Sequence, residues 1–204
     1  MTLEDILPAV EKIRKNTPDH GSRAATYSRT YLQILELGRL QAESGLSTLY
    51  TLALVAYGWM PRILRLNPEY CDGAITALKQ ARDANEDNWQ ATSIADLAEC
   101  LSSLVGASKV LHFTNPKVFP IWDARIERFR RSGKAGQYHM DQPRNYLNYV
   151  SEVHNITKQS GFDQFFRDFN GAYAYRLSNL SIPVYELSEV RTVEAAAFEL
   201  AGSE

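Results

Sequence analysis

One carboxylate, Asp123, follows the turn-forming run Phe119-Pro120-Ile121-Trp122 and precedes Arg125, Arg128, Arg130 and Arg131. A lone acid beside a cluster of cations suits a site that draws in a polyanion and then does acid/base or charge-stabilising chemistry on it. Asn115-Pro116 and Phe119-Pro120 break the chain twice within a few residues, which sets Asp123 at or near a helix start. There the positive end of the helix dipole and the neighbouring arginines favour an ionised acid, suited to stabilising charge or activating water. Such a carboxylate fits a transition state that develops positive charge, as a sugar does when its glycosidic bond breaks. Upstream, Gly106 allows a tight turn, and Gly106, Ser108 and Lys109 together would present backbone N–H groups that grip a phosphate without regard to base sequence.

Aromatic residues supply candidate stacking surfaces. Tyr57-Gly58-Trp59-Met60-Pro61 interrupts an apolar helix and leaves rings at its end, so Tyr57, Trp59 and Trp122 are the candidate pocket residues, ahead of Trp89. Each candidate has a plainer role beside the chemical one. Asp123 would serve as an N-cap, Lys109, Arg125, Arg128, Arg130, Arg131 and Lys134 as a solvated face, and Tyr57 and Trp59 as core. His112, between Leu111 and Phe113, reads as a hydrogen-bonded core histidine, and Arg62 and Arg65 as either phosphate contacts or surface.

The elements that must position these residues are helices. Apolar residues return at steps of three and four, and no segment alternates convincingly as a strand. Thr2 and Asp5 form a capping-box pattern that opens the first helix, which ends before Pro18. A helix from about Arg23 to Glu43 comes next, and Leu46 to Met60, apolar almost all round, is expected at the centre of the fold. Ser93 with Asp96, Asp141 with Pro143, and Ile182-Pro183 introduce later helices, for a total of eight to ten in an all-α fold. With 45% hydrophobic residues and neither repeat nor low-complexity linker, residues 1–204 are expected to form a single compact domain, with the chemistry at about 93–131.

Charge narrows the partners. The net charge of -2 and pI of about 6.1 exclude a chain that is basic throughout, so any polyanion site is a local patch. Two cysteines and four histidines without ligand spacing argue against a disulfide framework or a structural zinc, and hence for no metal. Acids at the N-terminus and the lack of a long apolar run predict a soluble, cytoplasmic protein without a membrane partner. Nothing calls for an obligate protein partner.

The run Leu104 to Phe129 resembles the helix-hairpin-helix DNA glycosylase superfamily. Leu104-Val105-Gly106 matches the hairpin, and Phe119-Pro120-Ile121-Trp122-Asp123-Ala124-Arg125 matches the segment that carries the catalytic aspartate. The resemblance implies two helical subdomains around a central cleft, Asp123 as the catalytic carboxylate, and double-stranded DNA as partner. The target nucleotide would be turned out of the duplex into an aromatic pocket. The family's lysine position falls on Ser108, with Lys109 one residue further, which implies hydrolysis by water rather than Schiff-base chemistry. The expected activity is that of a monofunctional DNA N-glycosylase. It would act on an alkylated, oxidised or hypermodified phage base, with phage defence as one setting, and would need no cofactor. A non-enzymatic helical DNA-binding or regulatory module is the alternative.

Overall fold

A computed structural model describes residues 1–40, 45–60, 63–131 and 136–202; Pro61, Arg62 and Lys134 lie outside that set. The capping box forms as expected: the Thr2 hydroxyl accepts from the Asp5 amide and the Asp5 carboxylate accepts from the Thr2 amide at 2.7 Å, opening α1 (Leu3–Ile6). Pro8 stands at the first position of α2 (Pro8–Lys15), where its missing N–H costs nothing. Next come α3 (Arg23–Leu40), α4 (Leu46–Gly58), α5 (Cys71–Asp83) and α6 (Ile94–Leu101). They are followed by α7 (Leu104–Thr114), α8 (Ala124–Arg130), α9 (Gln137–Met140), α10 (Pro143–Thr157), α11 (Phe162–Asn179) and α12 (Glu189–Leu200). Short 3-10 turns at Pro68–Tyr70 and Trp89–Ala91 precede α5 and α6.

The described residues contain no strand, so the fold is all-α. The helices number twelve among those residues, above the expected total, because Pro8 divides the first helix and α9 is a single turn. One buried apolar cluster takes residues from every helix. Helices α4 to α7 pack on one another on one side, while α2, α8, α10 and α11 gather around α12 on the other. α4 is half in this core: Leu49, Leu52, Ala53 and Ala56 are fully buried, but Leu54 is 63% exposed. The all-round apolar sequence of α4 therefore overstated its burial.

The hairpin joining α6 to α7 turns at Ser102, four residues before the glycine. Ser102 takes the left-handed conformation, φ 49°, and Ser103 caps α7 by accepting the Gly106 amide at 3.0 Å. Gly106 thus lies inside the first turn of α7 and does not form the tight turn expected of it. Its lack of a side chain serves packing, because a Cβ there would stand 2.9 Å from the Tyr57 ring. Tyr57 also donates its hydroxyl to the Leu101 carbonyl, clamping the end of α6 to α4.

Candidate active site

The segment from Val118 to Trp122 is buried and lies outside any helix, which demands a partner for each of its backbone polar groups. Side chains from two helices meet much of that demand. His154 Nε2 of α10 bonds the Val118 carbonyl at 2.9 Å, His112 Nδ1 of α7 the Phe119 carbonyl at 2.7 Å, and the Tyr146 hydroxyl of α10 donates to the Pro120 carbonyl at 3.1 Å. The Ser108 hydroxyl of α7 accepts the Trp122 amide at 3.1 Å. Asp123 is next, extended at φ -146°, and caps α8 by accepting the Ile126 amide on Oδ1 at 2.9 Å. The sequence thus holds the carboxylate at the end of a rail fixed by α7 and α10.

Two connected cavities meet at Asp123. The more enclosed chamber, of about 110 Å³, is lined by Tyr27, Tyr31 and Trp59 on one side and by Asp123, Arg191 and Glu194 on the other. A wider vestibule of about 360 Å³ adds Arg23, Met60, Val105 and Arg125. Tyr27, Trp59, Lys109, Asp123 and Phe198 line both. Rings pave the wall: Tyr27 and Trp59 are 4.8 Å apart between centroids and tilted by 31°, and Phe113 stands edge-on behind Trp59 at 5.4 Å. At the vestibule, Arg125 lies 4.0 Å over the Phe198 ring, and its Nε is buried with no hydrogen-bond partner among the described residues.

Burial tunes the ionisable groups. Lys109 is 8% exposed, and its ammonium donates to the Trp59 carbonyl at a long 3.5 Å. Burial lowers its pKa to about 8, against the pull of the carboxylates of Asp123 and Glu194. Glu194 is 2% exposed, and burial raises it to about 7 although Arg191 donates to its Oε2. For Arg191, burial opposes the charge, but Glu194 and the Tyr31 ring beneath the guanidinium, at 5.0 Å, hold it cationic. His112 is lowered to about 3 by burial and by Arg191, so it is neutral; Nδ1–H donates to Phe119 and Nε2 accepts from the Tyr31 hydroxyl at 2.9 Å. It is the core histidine the sequence suggested.

Of the residues singled out in the sequence, the fold brings Asp123, Lys109, Trp59 and Arg125 to one cleft. Others lie elsewhere. Trp122 is fully buried, donates Nε1–H to Glu127 at 2.9 Å and packs on Tyr146, so it is core and not pocket wall. Tyr57 faces the α6–α7 hairpin outside the chamber. Gly106 and Ser108 offer no amide to a phosphate, because both lie within α7 and Ser108 is fully buried beneath Trp122. Arg128 does not line the cleft. Arg130 is occupied by Glu127 at 2.5 Å and Glu152 at 2.8 Å.

Arg23, Tyr27 and Tyr31 of α3 and Arg191, Glu194 and Phe198 of α12 were not singled out as site residues. The available signal was a charged pair three residues apart, Arg191 and Glu194, with an aromatic four residues after the second on the same face of the helix. Among the described residues, no cluster of three or more histidine, cysteine or acidic side chains could hold a metal ion, and no helix is long and apolar enough to cross a membrane. No family model, no curated protein and no solved structure matches the chain.

Proposed function

We propose that the protein is a DNA N-glycosylase that hydrolyses the bond between a modified base and its deoxyribose, leaving an abasic site. The observation that carries this reading is the position of Asp123 where an aromatic chamber meets a cationic vestibule. A flipped base would stack against the wall of Tyr27, Tyr31 and Trp59, its sugar would stand against Asp123, and flanking phosphates would meet Arg23 and Arg125. The carboxylate would stabilise the oxocarbenium character at C1′ and take a proton from the attacking water. The partner is then double-stranded DNA.

A second reading of the nucleophile is favoured by Lys109. Its amine lies in the same cleft and is lowered to about 8, which gives it free-base character near neutral pH. It would attack C1′ in place of water, leaving a Schiff base. Incubation with DNAs bearing alkylated, oxidised and hypermodified bases, with and without borohydride, separates the readings. Base release without a trapped adduct supports hydrolysis, and a trapped adduct lost in Lys109→Gln supports the amine. Salt-sensitive binding with no release from any DNA would overturn both and leave a binding module.

A further inference from the structure

We propose that Glu194 donates the proton taken up by the departing base, which makes neutral, poorly leaving bases the substrates this cleft is built for. The inference rests on the glycosylase reading and adds to it a second acid and a substrate class. Asp123 lines both cavities, whereas Glu194 lines only the enclosed chamber, which on the glycosylase reading is where the base would sit. The two carboxyl groups stand on different elements, the start of α8 and the middle of α12. They also have unlike surroundings: Asp123 is partly exposed and bonded to a helix amide, while Glu194 is sealed at 2% exposure. A pair of acids kept in different environments is the arrangement that lets one act ionised and the other act protonated.

The neighbours of Glu194 set its proton affinity. Arg191 on its own helix and Lys109 on α7 favour the carboxylate; Asp123 opposes it, and the buried phenols of Tyr31 on α3 and of Tyr146 and Tyr149 on α10 share its field. Burial outweighs the two cations and leaves the group near 7, so a large fraction carries the proton at neutral pH. When the glycosidic bond breaks, its electron pair passes to the base, and the Glu194 proton neutralises the ring at the leaving nitrogen or a conjugated acceptor. Water adds to C1′ and gives a proton to Asp123. Return of that proton through solvent to Glu194 restores both groups.

The test compares two leaving groups on one enzyme. A base alkylated on a ring nitrogen is already cationic and leaves without a proton, whereas an oxidised neutral base needs one. Glu194→Gln keeps an amide oxygen for Arg191 and nearly the same volume. Single-turnover excision of a neutral base by this variant should fall by about 10²-fold or more. Excision of 7-methylguanine, which leaves without a proton, should fall far less, so that the ratio of the two rates shifts by about 10²-fold, while an unchanged urea unfolding transition certifies the fold. The wild-type rate on the neutral base should fall as pH rises through about 7, and the variant should lack that fall. Equal loss on both bases, or loss on neither, would overturn the proton-donor role while leaving the glycosylase reading intact. Release of no base by wild type would instead remove that reading, and the proposal with it.

Discussion

Ser108→Ala tests whether the buried Ser108 hydroxyl aims Asp123. The Ser108 hydroxyl donates to the Val105 carbonyl at 2.8 Å and accepts the Trp122 amide at 3.1 Å, with Ser108 and Trp122 both fully buried. Alanine removes the acceptor, and nothing else in the described structure replaces it. An unsatisfied buried N–H costs about 1–3 kcal/mol, so the unfolding free energy in urea should fall by that amount with an unchanged slope. Trp122 is the residue before Asp123, and relaxation of its amide would shift the carboxylate. A displacement of about 1 Å lowers a positioned reaction by about 10²-fold. Single-turnover excision should therefore drop by about that factor while the DNA Kd and its salt dependence stay as in wild type. Full excision by the variant would refute the aiming role.

Lys109→Met should stabilise the protein at neutral pH by up to about 3 kcal/mol, the equivalent of a lysine held at about 8 instead of 10.5. The sign is set by proton counts: between about 8 and 10.5 the unfolded chain binds more protons, so wild-type stability rises with pH across that window and the variant should lose the rise. Gly106→Ala meets the Tyr57 ring at 2.9 Å and should cost about 1–3 kcal/mol in chemical denaturation. Gly171→Ala, in α11 with nothing within 4 Å, should instead stabilise by up to about 1 kcal/mol. Arg125→Ala should weaken DNA binding and reduce its logarithmic salt slope by about 1. Arg130→Ala, which leaves Glu127 and Glu152 short of their guanidinium, should cost about 3 kcal/mol of stability and leave the salt slope alone.

Periodicity and chain breakers made the helical class and the place of Asp123 legible, because a proline-bounded segment ending in an acid leaves few options besides a capped helix after it. The capping box at Thr2 was legible for the same reason: its chemistry is complete within four residues. Long-range partners were not. Ser108 looks like a turn residue two positions after a glycine, and only the packing of α7 against Trp122 makes it a buried staple. Trp122 looks like a pocket ring until Glu127 takes its N–H. The run of arginines around α8 suggested one basic face, but a helix points successive residues in different directions, so Arg125 reaches the cleft while Arg130 turns inward to Glu152. Arg191 and Glu194 escaped notice because α12 displays an apolar stripe of Val190, Val193 and Ala197, and their value lies in facing a carboxylate some seventy residues earlier in the chain.

Asp123 as the catalytic carboxylate is put to its plainest test by single-turnover base release from wild type and Asp123→Asn, on whichever DNA the wild type acts upon. Asparagine can still accept the Ile126 amide, so α8 and the fold should persist, and DNA binding should hold or tighten as a negative charge leaves the cleft. Base release and abasic sites should both be lost in the variant. Undiminished release would contradict the catalytic role and take Asp123 out of the mechanism.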